Sequence, residues 1–201
     1  KIAASILLIA AAGFLALKYT GTIQSDKVQE FITANAEVEE AALPDGSIIK
    51  LNANSSLTYE EGFGIEHRNV TLQGAANFDV ARNESLPFII TTNNSQVEVL
   101  GTSFEVRAYE NESVEVNVSS GMVGFKSTKA KGEPAVLEAG DKAVLSEDGM
   151  KMQKGKVRNK NYAAWWTKEL VFDNVKLSDI AKDLEKTYWV KIEVAESVAN
   201  C

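Results

Sequence analysis

Hydrophobic and polar residues alternate through most of the chain after residue 37. The clearest case is Val114, Val116 and Val118, which are separated by Glu115 and Asn117. Such alternation predicts strands with one buried and one solvated face. Similar short strands are predicted at residues 47–51, 68–72, 76–80, 88–92, 97–100, 104–108, 122–125, 135–137 and 142–145. The fold class is therefore mainly β: residues 37–156 are predicted to form a multi-stranded antiparallel β-sandwich or a solenoid-like stack.

The chain begins with an apolar run, residues 2–17, that contains no charge. As a helix it would be about 24 Å long, against about 30 Å for the hydrocarbon core of a membrane. Lys18 and Tyr19 can extend its reach at the interface. We predict an N-terminal transmembrane helix at residues 1–19, with basic residues of an upstream cytoplasmic segment missing from this chain, and a polar connector at residues 20–36. A signal-peptide core and a buried helix are the alternatives.

The pattern changes after residue 156. Residues 170–172 and 188–194 are predicted to form strands, and helical spacing of the apolar side chains between them predicts a helix at residues 177–186. Residues 157–201 therefore resemble a partial βαβ module, which we expect to be truncated after Cys201. Trp165 and Trp166 precede the first strand of this module and are predicted to be core residues that join it to the β-domain, with an interface role as the alternative.

Composition excludes several function classes. The net charge is −7, and a surface that acidic repels a phosphate backbone, so no nucleic-acid partner is expected. Cys201 is the single cysteine and His67 the single histidine, so neither a cysteine-based nor a histidine-based metal centre is predicted. His67 lies in a polar turn and is interpreted as a surface residue. We predict no cofactor, no metal site and no metabolic enzyme activity.

One dipeptide, Gly101-Thr102, carries candidate chemistry. It lies between the strands predicted at residues 97–100 and 104–108. A Thr hydroxyl can attack the preceding carbonyl and convert a strained amide into an ester, which water then cuts. The alternative is structural: a glycine at a bend or bulge, followed by a good strand former.

Several motifs together resemble the FecR family of anti-sigma regulators. They span about residues 40–150 in a specific order. The segments are Leu43-Pro44-Asp45-Gly46-Ser47, Leu51-Asn52, Ser55-Ser56-Leu57, Tyr59, Phe63, Arg68-Asn69-Val70, Leu72-Gln73-Gly74-Ala75-Ala76-Asn77-Phe78-Asp79-Val80, Pro87-Phe88 and Val99-Leu100-Gly101-Thr102-Ser103-Phe104-Glu105-Val106. The region after Trp165 is similar to the start of a secretin-and-TonB N-terminal domain, a small βαβ module.

The resemblance implies a single-pass protein of the bacterial inner membrane, with the bulk of this chain in the periplasm. Its expected partners are the signalling domain of a TonB-dependent outer-membrane transducer and, through the missing cytoplasmic segment, an extracytoplasmic-function sigma factor. In several family members the Gly-Thr bond is a point of self-cleavage. Carried over, this makes Thr102 the attacking hydroxyl and Gly101 the acyl donor, with single-turnover autoproteolysis as the expected catalytic act.

One departure from the family pattern bears on the expected self-cleavage. Family members usually carry an acidic residue after the glycine that matches Gly74, whereas this chain has Ala75-Ala76-Asn77, and no base for the cleavage can be named.

The alternative function is a membrane-tethered carbohydrate-binding β-sandwich. It predicts exposed aromatic side chains on the β-domain, but the three tryptophans lie at or after Trp165.

Overall fold

The computed structural model describes residues 28–33, 38–188 and 190–199 of the chain. The anchor predicted at residues 1–19 lies outside these ranges, as do most of the connector and Cys201. Within the described ranges, no helix is both long and apolar enough to span a bilayer. The anchor therefore stays a prediction.

Strands dominate the described chain, which confirms the mainly β prediction. The strands are β1 (Gln29–Ile32), β2 (Glu39–Ala42), β3 (Ile48–Leu51), β4 (Ser56–Tyr59), β5 (Arg68–Asp79), β6 (Phe88–Thr91), β7 (Ser95–Val99), β8 (Ser103–Ala108), β9 (Val114–Ser120), β10 (Met122–Ser127), β11 (Ala135–Glu138), β12 (Asp141–Leu145) and β13 (Met152–Lys156). A 3₁₀ turn (Lys160–Ala163), a short helix α1 (Ala164–Thr167) and helix α2 (Leu177–Tyr188) follow.

The connector predicted at residues 20–36 contains strand β1, so the β-domain begins earlier than predicted. Strand β1 pairs antiparallel with β4, and the rings of Phe31 and Tyr59 lie 6.3 Å apart. The Thr33 hydroxyl, just after β1, donates to the carbonyl oxygen of Asn52. The polar composition around β1 hides these contacts from a pattern-based prediction.

The strands form one curled sheet with two halves that share β5. The first half, sheet A, has the order β1-β4-β5-β6-β7-β10-β11, and the second, sheet B, has the order β2-β3-β5-β8-β9-β12-β13. Inward-facing side chains of both halves make a single core. Phe78 of sheet B, for example, contacts Phe88 of sheet A, with ring centroids 6.1 Å apart. This arrangement is closer to the predicted sandwich than to a solenoid.

Gly74 is the point at which β5 passes from one half-sheet to the other. Residues 70–73 pair with β4 in sheet A, whereas residues 74–79 pair with β8 in sheet B. Gly74 has φ +94°, and a Cβ there would lie only 2.7 Å from the Cα of Ser55. Since both the backbone angle and the close approach exclude a side chain, glycine permits the sharp bend.

The purely antiparallel expectation is wrong at one place. Strands β5 and β6 are parallel, with Arg68 opposite Phe88 and Thr71 opposite Thr91. A parallel neighbour normally requires a long crossover. Here the bend at Gly74 returns the end of β5 towards its beginning, so the short loop of residues 80–87 is enough.

Arg68 is a buried cation that holds this loop. Its side chain is 1% exposed and makes an ion pair with the carboxylate of Asp45, at 3.2 Å. The guanidinium also donates to the carbonyl oxygens of Leu86 (2.7 Å), Ala81 (2.7 Å) and Asn83 (3.2 Å). Three of its partners therefore belong to the β5–β6 loop. The predicted turn at Pro44-Asp45-Gly46 supplies the counter-charge.

The free edge of β11 is covered by side chains of β12 and β13. The Lys154 ammonium donates to the carbonyl oxygen of Val136, at 2.7 Å, and the Glu138 amide donates to the carboxylate of Asp141, at 3.0 Å. Asp141 also makes ion pairs with Lys154 and Lys156. The Glu138 amide and the two ammonium groups lower the pKa of Asp141 well below its usual range.

The helix predicted at residues 177–186 is confirmed as α2, which extends to Tyr188. The two strands predicted beside it, at residues 170–172 and 188–194, are wrong in the part of the chain that the structure describes. The reason lies in two side chains. The amide group of Asn161 accepts from the backbone N–H of Val171 and donates to its C=O, as a neighbouring strand would. Similarly, Glu185 accepts from the backbone N–H of Ile192.

The Arg68 network leads to a stability prediction. Replacing Arg68 with Leu removes the counter-charge of the buried Asp45 carboxylate, which keeps only its hydrogen bonds from Ser47, and takes the guanidinium donor away from three carbonyl oxygens. We therefore expect the free energy of unfolding to fall by about 3–5 kcal/mol. Urea denaturation followed by circular dichroism measures this change. The control is Arg82→Leu, because Arg82 and its partner Glu84 are 71% and 67% exposed and such pairs contribute less than about 1 kcal/mol. Equal losses in both variants would contradict the assignment.

Candidate functional site

The Gly101-Thr102 dipeptide forms the turn between β7 and β8, as the sequence predicts. Its backbone is held by the β5–β6 loop. The backbone N–H of Asn83 donates to the carbonyl oxygen of Leu100 (2.7 Å), and the backbone N–H of Val80 donates to the carbonyl oxygen of Thr102 (3.1 Å). The turn is thus fixed at the residues on both sides of Gly101.

Gly101 is required at this position by packing. A Cβ there would lie 2.6 Å from the Cα of Arg82 and 2.6 Å from its Cβ. Backbone atoms cannot move aside as the end of a flexible side chain can. The structural interpretation of this glycine is therefore well founded: it lets the β7–β8 turn lie against the β5–β6 loop.

The hydroxyl of Thr102 points inward. The residue is 4% exposed, and Oγ1 donates to the carbonyl oxygen of Met122, at 2.9 Å. Gly121, immediately before Met122, has φ +76°, and a Cβ built on it would lie 2.8 Å from Thr102 Oγ1 and 3.1 Å from the carbonyl oxygen of Gly101. The hydroxyl oxygen of Thr102 and the carbonyl oxygen of Gly101 therefore both lie close to Gly121.

The contacts orient the Thr102 hydroxyl but supply no basic group. Its acceptor is a backbone carbonyl, which holds the hydroxyl in one direction. The neighbouring hydroxyl, that of Ser103, is the one that donates to a carboxylate, Asp79, at 2.6 Å. Ser103 lies on the exposed side of β8, since alternate side chains of a strand point to opposite faces.

The sequence departure at Ala75 lies away from this turn. Ala75 is opposite Arg107 in the β5–β8 pairing, whereas Asp79 is opposite Ser103. Four residues of strand span about 13 Å. A longer side chain at residue 75 would therefore not reach the Thr102 hydroxyl.

An apolar cleft of about 390 Å³ opens beside the turn on the outer face of sheet A. Exposed side chains of Leu100, Met122 and Val136 form much of its apolar wall, and Gly124 forms part of its lining, with no atom closer than 3.6 Å to the position of a Cβ. The cleft gives solvent a path to the Gly101-Thr102 bond.

A second group of residues was not foreseen from the sequence. Glu105 of β8 is 5% exposed. Its carboxylate accepts from the indole N–H of Trp165 (2.8 Å) and from the amide of Asn117 (2.9 Å). Burial raises the pKa of Glu105 to about 7, against the effect of these two hydrogen bonds. Alternation alone puts Glu105 on a solvated strand face, and no sequence signal indicates that Trp165 covers it.

The remaining candidate residues play structural roles. His67 is half-buried; its ring contacts Phe63 and the carbonyl oxygen of Glu61. Trp165 is buried, in agreement with the predicted core role, while the half-buried Trp166 packs against it and against Tyr162. Among the described residues, no three metal-ligating side chains converge on one point.

The Gly101 packing yields a prediction with a matched control. Gly101→Ala forces a methyl group into the Arg82 backbone, and we expect it to lower the free energy of unfolding by about 1–3 kcal/mol. Gly132→Ala is the control, since a Cβ there meets nothing within 4 Å. Thermal unfolding of the two variants measures the difference. A loss at Gly132 as large as that at Gly101 would contradict the packing role.

Comparison with known proteins adds independent findings. The model of the FecR protein family matches residues 29–124, which extend from β1 into β10. A crystal structure of a candidate anti-sigma factor from Parabacteroides distasonis ATCC 8503, solved at 2.50 Å, is 30% identical with a TM-score of 0.66 and covers 81% of this chain and 75% of its own. A second structure of that description, at 1.65 Å, is also 30% identical with a TM-score of 0.66 and covers 80% and 74%. No curated protein matches the sequence.

Proposed function

The chain belongs to the FecR family, and we propose that it is the periplasmic, signal-transducing part of an anti-sigma regulator anchored in the bacterial inner membrane. The observation that carries the proposal is the 30% identity over 81% of the chain to a candidate anti-sigma factor. The family accounts for the general role, a membrane-associated regulator that acts on a sigma factor. The relay and the cleavage described below are the proposed details.

In the proposed relay, this chain receives a signal from a TonB-dependent outer-membrane transducer and passes it to an extracytoplasmic-function sigma factor. Apolar side chains on the C-terminal segment support a docking role. Val171 and Val190 are 61% and 49% exposed, and both lie outside any strand. Apolar side chains that stay exposed in this chain can be buried against an apolar surface of a partner.

The proposed relay predicts capture of a partner domain. The chain should bind the signalling domain of at least one TonB-dependent transducer of its own organism in a surface-plasmon-resonance panel. Val171→Asp should weaken that binding at least tenfold, because the carboxylate would have to lose its water at the interface. Ile65→Asp is the control, since Ile65 is 86% exposed on the β4–β5 loop. Failure of every transducer domain to bind would contradict the relay, and equal binding by both variants would contradict the docking site.

Self-cleavage is the second detail of the proposal. The Thr102 oxygen attacks the carbonyl carbon of Gly101, the C–N bond breaks, and the Thr102 nitrogen takes up the hydroxyl proton. An ester then joins the Gly101 acyl group to the Thr102 oxygen. Water hydrolyses it to a Gly101 carboxylate and a free Thr102 amine and hydroxyl. The approach of the Thr102 hydroxyl oxygen and the Gly101 carbonyl oxygen to the same glycine, and the cleft that these two residues line, support this route. No external substrate is turned over.

Cleavage would leave the two products interlocked. The N-terminal product contains β1–β7 and the C-terminal product contains β8–β13. The pairings β5–β8 and β7–β10 cross the cut, and the core side chains of both products mix. We therefore expect the products to stay together until they are denatured.

Intact mass spectrometry of the incubated chain checks the cleavage. We expect two masses that together equal the chain plus one water, and co-elution of both products in native size-exclusion chromatography. Thr102→Ala removes the nucleophile and should stay whole, whereas Thr102→Ser keeps a hydroxyl and should be cut. Ser103→Ala serves as the control because its hydroxyl contacts Asp79 instead of the bond. A wild-type chain that stays whole, or a cut in Thr102→Ala, would contradict self-cleavage.

A further inference from the structure

We propose that residues 160–188 form a C-terminal latch, which docks reversibly on the outer face of sheet B through Trp165 and is tightened when Glu105 takes up a proton. The latch consists of the 3₁₀ turn, α1, α2 and the segment that joins them. This inference is independent of the proposed relay and cleavage, because it depends on contacts within this chain.

The surface beneath the latch is polar. A cleft lies between the latch and sheet B, and the side chains that border it on the sheet side include Glu105 (β8), Glu115 and Asn117 (β9) and Lys142 (β12). Water can solvate such a surface when the latch leaves. The face of a sheet that carries core side chains could not be uncovered at so small a cost. The polar face of sheet B beneath the latch therefore permits reversible docking.

Trp165 is the anchor of the latch. It is 5% exposed, and its indole N–H donates to Glu105. A second contact joins the Tyr162 hydroxyl to that of Ser119, at 3.0 Å. Tryptophan buries a large ring and carries one polar handle, which makes it a frequent anchor of contact surfaces. The buried Trp165 ring and these two polar contacts therefore join the latch to sheet B.

Glu105 faces neutral donors and a mixture of charges. Trp165 and Asn117, which donate to it, are uncharged. Charged groups from every neighbouring element border the same cleft: Arg107 (β8), Glu115 (β9), Lys142 (β12), Lys156 (β13), Arg158 (after β13), and Asp183 and Lys186 (α2). Burial opposes the ionisation of Glu115, but its hydrogen bonds from Lys142 and Asn117 lower its pKa overall. Glu115 is therefore already charged at neutral pH, and its charge opposes ionisation of Glu105.

The direction of the pH effect follows from the burial. In the docked state, burial raises the pKa of Glu105 to about 7. When the latch leaves, the carboxyl lies on a solvated sheet face, where we expect a pKa near the ordinary value of about 4.3. The docked state binds the proton more tightly, so docking is strongest at low pH and weakens as the pH rises through 7. Between pH 5.5 and pH 8, the docking constant should fall about 10- to 30-fold.

The proposal is tested on the whole chain by nuclear magnetic resonance. The indole N–H signal of Trp165, identified by its loss in Trp165→Phe, reports docking through its solvent exchange, which is corrected for the intrinsic pH dependence of exchange. We expect the protection of this N–H to be about 10- to 30-fold lower at pH 8 than at pH 5.5. Glu105→Gln keeps the shape and an acceptor oxygen without the charge, so its Trp165 signal should stay protected at both pH values.

Two further variants separate the latch from its surroundings. Glu115→Gln removes the neighbouring charge and should retain the pH dependence of the wild type. Trp165→Phe should release the latch, seen as faster amide exchange in α2, while the amides of β8 and β9 keep their protection and show that the β-domain is folded. Protection of Trp165 that is independent of pH, a pH dependence that survives in Glu105→Gln, or an unchanged α2 in Trp165→Phe would overturn the proposal.

Discussion

The ion pair between Arg68 and Asp45 is the constraint on which the rest of the site depends. A buried guanidinium is unfavourable unless each of its donors has an acceptor. The chain meets this requirement by wrapping the β5–β6 loop around the cation. That same loop supplies the amides that fix the β7–β8 turn and the backbone against which Gly101 packs. One buried charge thus sets the position of a peptide bond in a different turn.

Much of the β-domain could be predicted from the sequence because its signals are local. Alternating side chains identify most of the strands, and the Pro44-Asp45-Gly46 turn has a defined conformation of its own. Gly74 belongs to a sequence motif, but its role depends on the approach of Ser55, about twenty positions earlier in the chain. The parallel β5–β6 pair depends on that bend, so local patterns do not reveal it.

The errors at the C-terminal segment have a different cause. Apolar residues around Val171 are typical of a strand, but a strand forms when a neighbour binds its backbone. Asn161 satisfies the backbone groups of Val171 with its own amide. For the candidate site, Gly101 and Thr102 could be identified because a motif joins them. The other residues of the site lie far from this motif in the sequence: Arg82, Gly121, Met122 and the Glu105–Trp165 pair. Their roles can be recognised only once the fold brings them together.

The side chains that cover the β11 edge also affect the tendency of the chain to aggregate. A free strand edge offers unpaired amide and carbonyl groups on which another chain can grow. Here Lys154 and Asp141 bind those groups of Val136 and Glu138, and they do so with side chains that carry charge. An incoming strand would have to displace an ion pair before it could template on the sheet. The β11 edge is therefore protected from strand addition although no further strand of the described chain pairs with it.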